Sequence, residues 1–216
     1  MLKTFFISFI CAVSYNVSAQ TDSAKVLTPD YNTDSLKKIY GNKKQLLKEY
    51  ELEALIALSY YPELKDERIR FKYSDLNATA QTTVTFGSIF KKIDKQYIIV
   101  INNDTKKTGL LLSDAPFNAQ VAVLGHELAH VTDFKKRSFF DMVWWGLCYL
   151  VVKQRTKIET RTDLSTIRHG LGWPLYEWSD FVLNYTGTSQ HYKKIRATKY
   201  MLPHEIAEYL QKHKLQ

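Results

Sequence analysis

Cysteine is nearly absent: the 216 residues hold two. Cys11 lies in an apolar stretch near the N-terminus that reads as removable, which leaves Cys148 alone. A framework of intramolecular disulfides is therefore excluded, and stability must come from packing and bound groups rather than covalent staples. Long apolar runs are missing as well. The stretches 5–13 and 139–152 are too short to cross ~30 Å of hydrocarbon, and the second contains Asp141. No internal repeat and no low-complexity tract occurs. The net charge is +8, yet the basic residues are scattered in pairs such as Lys37-Lys38 and Lys91-Lys92. No basic-aromatic ladder or helix-turn-helix pattern accompanies them, so nucleic acid is not expected as a partner. Peripheral contact with a membrane or an anionic envelope polymer fits the charge better than nucleic acid does, and a generally solvated basic surface fits it better than either. A hydrophobic fraction of 45% excludes wholesale disorder.

What is present begins with an address. Met1-Leu2-Lys3 is followed by the apolar run 5–13 and by Val17-Ser18-Ala19. A charged start, a short apolar stretch and a small-residue cleavage site make a secretory signal peptide over 1–19. The expected localisation is periplasmic or secreted. Residues 20–34 are polar and read as a flexible leader, and 35–216 as a single domain.

Within that domain, Asp34-Ser35 can cap a helix running to about Tyr61, where Pro62 stops it. Alternating or β-branched stretches at 68–73, 79–86, 97–101 and 109–112 read as strands, joined by short connections. Helical patterns follow at 118–134, 139–152, 158–169, 175–185 and 203–214. The expected fold is α+β: a small, mainly antiparallel sheet followed by a helical part. The 139–152 segment, with Trp144, Trp145 and Tyr149, is expected to be a buried helix closing the core; the alternative is a segment dipping into a membrane interface.

The chemistry concentrates in His126-Glu127-Leu128-Ala129-His130. Residues four apart on a helix share a face, so both imidazoles can reach one ion. Neutral imidazole suits zinc. Glu127 is rotated off that face and is free to act as a general base on a zinc-activated water. A catalytic site needs a third protein ligand and an open position. Glu159 is the best candidate. Asp163, four residues on, can accept the outer N–H of a ligating histidine and fix its ring. Asp133 shares the face of the first helix but would reach the ion poorly, and His169, beside Gly170, suits a helix C-terminus. For the oxyanion of a hydrolytic transition state, His169, Tyr176, Arg161 and Arg168 are all candidates.

H-E-x-x-H with a downstream E-x-x-x-D resembles the gluzincin metallopeptidases. The likeness covers about 97–169 and rests on five residues. It implies His126, His130 and Glu159 as metal ligands, Glu127 as the base and Asp163 as the outer carboxylate, in a zincin-like domain. It also implies that strand 97–101 offers an edge to which substrate adds. The segment between His130 and Glu159 differs from that of the thermolysin group. The expected function is that of an exported zinc-dependent metalloendopeptidase acting on peptides or proteins. The rival is a non-catalytic envelope or membrane-associated protein with a structural or vestigial metal site.

Overall fold

The computed structural model describes residues 27–91 and 94–215. The signal peptide expected over 1–19 lies outside the described residues. Of the polar leader, Leu27 is buried, and its N–H donates to Asn118 Oδ1 at 3.1 Å.

Helix α1 (Thr33–Tyr40) starts where Asn32 accepts the N–H of Ser35 at 2.9 Å, so its cap sits two residues before the one expected. The single helix expected to Tyr61 is broken. Lys43 takes a φ of 57°, in the left-handed region, and the chain then forms strand β1 (Lys44–Gln45) and a short 3₁₀ turn (Lys48–Tyr50). The Lys44 ammonium is held by the carbonyls of Asn42, Lys65 and Glu67. Helix α2 (Glu51–Ser59) follows, and its run Ala54 to Leu58 is buried on all sides. A helix surrounded by core shows no clear amphipathic period.

Strands β2 (Arg68–Ser74), β3 (Ala80–Val84) and β4 (Gln96–Asn102) complete one sheet, with the four-residue helix α3 (Phe86–Ile89) before β4. The strand order is β1-β2-β4-β3. The α+β class is as expected, but the sheet is mixed rather than mainly antiparallel: β1–β2 and β2–β4 are parallel, and β3–β4 is antiparallel. The short β2–β3 connection suggests a hairpin, yet β4 inserts between the two strands and pairs with both. The fourth expected strand, at 109–112, does not form. Gly109 adopts a φ of 78° with Gly187 packed against it, and the chain enters a 3₁₀ turn (Leu112–Asp114) that buries Leu110 and Leu112.

The helical part is centred on α4 (Phe117–Lys136), which packs on α2, β3, α6 (Val152–Thr166) and α7 (Gly172–Asn184). Its C-terminal end is capped by the Lys95 ammonium, bonded to the carbonyls of Phe134 and Arg137, a cation where the helix dipole favours one. Between α6 and α7 a π-helical stretch (Ile167–Leu171) holds Gly170 at a φ of 91°, a bend open mainly to glycine. Helix α8 (Gln190–Lys199), not expected from the sequence, and α9 (Pro203–Lys212) close the domain.

Helix α5 (Phe139–Leu150) departs from its expected place in the core. Met142 is its one buried residue, whereas Phe140, Trp144 and Leu150 are 81%, 67% and 80% exposed. Among the described residues no helix is long and apolar enough to cross a membrane.

Candidate metal centre

Two helices build the centre. On α4, successive residues are rotated by about 100°, so His126 and His130 fall about 40° apart while Glu127 turns to the side. On α6, Glu159 and Asp163 likewise share a face, and the two helices are packed together. All five side chains are buried.

The donor atoms converge. Glu159 Oε2 lies 3.2 Å from His126 Nε2 and 3.5 Å from His130 Nε2. Donors bound at ~2.0–2.1 Å to one tetrahedral ion stand about 3.3 Å from each other. His126, His130 and Glu159 together can hold a metal ion, and these spacings fit one. Among the described residues no fourth such donor joins the group.

Each of these donor side chains is oriented from behind. His126 Nδ1 is 2.9 Å from Asp163 Oδ1, and the other oxygen of Asp163 accepts the N–H of Met201 at 2.9 Å. His130 Nδ1 is 3.4 Å from the Thr162 hydroxyl, which itself donates to Ile158 O at 3.0 Å. With that hydroxyl proton committed, an imidazole proton on Nδ1 would be the donor whenever His130 Nε2 gives its lone pair to a metal. Glu159 Oε1 accepts the Tyr149 hydroxyl at 2.7 Å, which turns Oε2 toward the histidines.

The buried charges of the cluster act on one another. Burial opposes a charge on His126, but hydrogen bonds to Asp163 and Glu159 outweigh it and raise the imidazole to about 10. Burial likewise works to raise the Glu159 carboxyl, and the hydrogen bonds from His126 and His130 hold it well below the usual carboxylate range. A proton on His126 thus supplies part of the positive charge that the two buried carboxylates require.

Glu127 stands apart from the donor set. Its Oε2 lies 2.7 Å from the hydroxyl of Thr82 on β3. A cleft of about 420 Å³ runs beside it, bordered by β3, by Met142, Trp145 and Tyr149 of α5, and by Arg155 and Tyr200. The buried Nε of Arg155 has no hydrogen-bond partner; it lies 3.9 Å from Glu159 Oε1.

The structure brings together His126, Glu127, His130, Glu159 and Asp163. It puts the four oxyanion candidates elsewhere. His169 stacks on Tyr61 and reaches Glu63 at 3.0 Å, and Tyr176 meets Trp173 edge-on. Arg161 is exposed, and Arg168 is exposed with its Nε 3.3 Å from the Tyr209 hydroxyl. Asp133 pairs with Arg137 at 2.8 Å. Strand β4 lies inside the sheet with both edges paired, so the free edge beside the cleft belongs to β3 instead. Thr82, Tyr149, Arg155 and Tyr200 come from separate elements and carry no shared spacing. Thr162 did carry a signal, since it sits three residues after Glu159 on the same helix face.

No family model, no curated protein and no solved structure matches this chain.

Proposed function

We propose that this chain is a zinc-dependent peptidase of the gluzincin kind, exported and acting on peptide bonds. The observation that carries the reading is a division among buried carboxylates. Glu159 joins two histidines at the spacing of a tetrahedral donor set, while Glu127 is left out of that set beside an accessible cleft. A three-donor site with an adjacent spare carboxylate has the composition of catalytic rather than structural zinc centres. Two histidines and one glutamate with an open fourth position is a donor set that catalytic zinc takes. The signal-peptide layout of 1–19 supports export.

Held by His126, His130 and Glu159, zinc would supply Lewis acidity for an amide carbonyl and for water. The rest falls to the chain. Glu127 accepts the proton of the attacking water and passes it to the leaving amine. Thr82 keeps its carboxylate turned toward the cleft. Tyr149 is committed to Glu159, so Arg155, whose buried Nε has no hydrogen-bond partner, is the donor that stabilises the oxyanion as its charge develops. The free edge of β3 offers an extended peptide a strand to pair with, which favours peptides over small amides.

The test is cleavage of a fluorogenic peptide mixture by zinc-loaded protein. Glu127→Gln should keep its zinc and lose turnover by at least ~100-fold. Undiminished cleavage by that variant would remove Glu127 from the reaction.

A further inference from the structure

Helix α5 carries two opposite stripes. Met142, Trp145, Gly146 and Tyr149 line the metal cleft. Phe140, Val143, Trp144, Leu147 and Leu150 follow the same helical period on the outer side, and all are exposed, as is Val151 just past the helix end. Phe90, 60% exposed, extends this surface; near it Phe139 stacks on the Phe90 ring at 4.6 Å. A contiguous aromatic and aliphatic ridge of this kind is rare on a protein that meets only water.

Behind the ridge, a groove of about 680 Å³ separates the outer sides of α5 and α6. Arg137, Lys157 and Arg161 line it, and no carboxylate does. Arg137 is tied to Asp133. Lys157 and Arg161 are exposed and, among the described residues, have no acidic partner. Lys136 and Lys153 stand exposed at the two ends of α5.

We propose that α5 docks this chain flat on an anionic phospholipid bilayer, with the outer ridge in the acyl boundary and a lipid phosphate in the α5–α6 groove. Charge complementarity selects the occupant. A second copy of the chain would bring the same cationic groove to a two-fold contact and be repelled. At 12 residues α5 is about 18 Å long, too short to span, and the right form to lie in the interface. Cations beside apolar side chains are what anionic headgroups attract. Because the inner stripe of the same helix lines the metal cleft, docking sets that cleft at the membrane surface. The docking stands independently of catalysis.

The test reads α5 itself, so that the apolar stretch 5–13 cannot supply the signal. An environment-sensitive NBD label is attached at Leu147→Cys in full-length chain that also carries Cys11→Ser and Cys148→Ser. Vesicles of phosphatidylglycerol and phosphatidylcholine are titrated in, and phosphatidylcholine alone serves as comparison. The expected result is a blue-shifted, brighter emission on the anionic vesicles. Lys157→Glu with Arg161→Glu should raise the lipid concentration for half the change at least ~10-fold. These two positions are exposed, and an unchanged circular-dichroism melt confirms the fold. Emission unmoved by anionic vesicles overturns the docking. An equal response to neutral vesicles, or no effect of the charge reversal, overturns the headgroup groove. A shift that grows with protein concentration in the absence of lipid assigns the ridge to a second copy and overturns the proposal.

Discussion

Thr82 on the edge strand β3 and Glu127 on helix α4 are 45 residues apart in sequence, and their side chains meet at 2.7 Å. The hydroxyl also lies 2.9 Å from the Glu127 carbonyl. One side chain of the sheet therefore fixes where the spare carboxylate points. Thr82→Val keeps the shape and removes the donor. It should leave zinc content unchanged and lower kcat about 10-fold, with Thr82→Ser restoring most of it. Steady-state kinetics beside metal analysis checks this, and loss of zinc in Thr82→Val would contradict the division of roles.

Arg155 tests the oxyanion assignment. Its buried Nε has no hydrogen-bond partner and lies 3.9 Å from Glu159 Oε1, and the side chain borders the cleft. Arg155→Met should retain zinc and lower kcat by ~10²-fold, an effect on turnover far larger than on KM. His169→Ala, remote from the cleft, should leave both near their parent values. The reverse pattern would restore His169 to the site.

Asp163 bridges His126 and the backbone N–H of Met201. Asp163→Ala frees the ring and leaves that N–H unpaired in the core. Zinc affinity should fall roughly 10- to 100-fold, and the metal-free protein should itself be less stable by ~1–3 kcal/mol. Competition with a chromophoric chelator and a thermal melt of the apo form measure the two effects separately. A variant with unchanged values for both would show Asp163 to be a bystander.

A metal held by His126, His130 and Glu159 would also tie α4 to α6. Zinc at a thousand times its Kd adds ~4 kcal/mol to folding. At about 2–4 °C per kcal/mol for a domain of this size, chelation should lower Tm by on the order of 10 °C. Differential scanning fluorimetry with and without EDTA shows it; a Tm indifferent to zinc and chelator would mean that no metal is held.

Legibility followed the range of the interactions. His126, Glu127, His130, Glu159 and Asp163 were readable because each pair is a local i,i+4 or i,i+1 relationship on a helix, where 3.6 residues per turn dictates the face. The insertion of β4 between β2 and β3 was not, since local alternation marks a strand but not its neighbour. The break after α1 depends on the left-handed Lys43 and on carbonyls of residues 65 and 67 that hold Lys44, all set by tertiary contacts. Helix α5 was misplaced because an apolar run reads alike whether its partner is a core or something outside the chain. Tyr149, Arg155 and Tyr200 reach the cleft from three different segments, and no spacing connects them.

The central claim is that His126, His130 and Glu159 hold a metal while Glu127 does not. Zinc content of purified parent, Glu159→Ala and Glu127→Gln proteins, read by mass spectrometry of the metal, tests it most directly. The account predicts about one zinc per chain in the parent and in Glu127→Gln, and a collapse of occupancy in Glu159→Ala. Full occupancy in Glu159→Ala, or loss of zinc from Glu127→Gln alone, would contradict it.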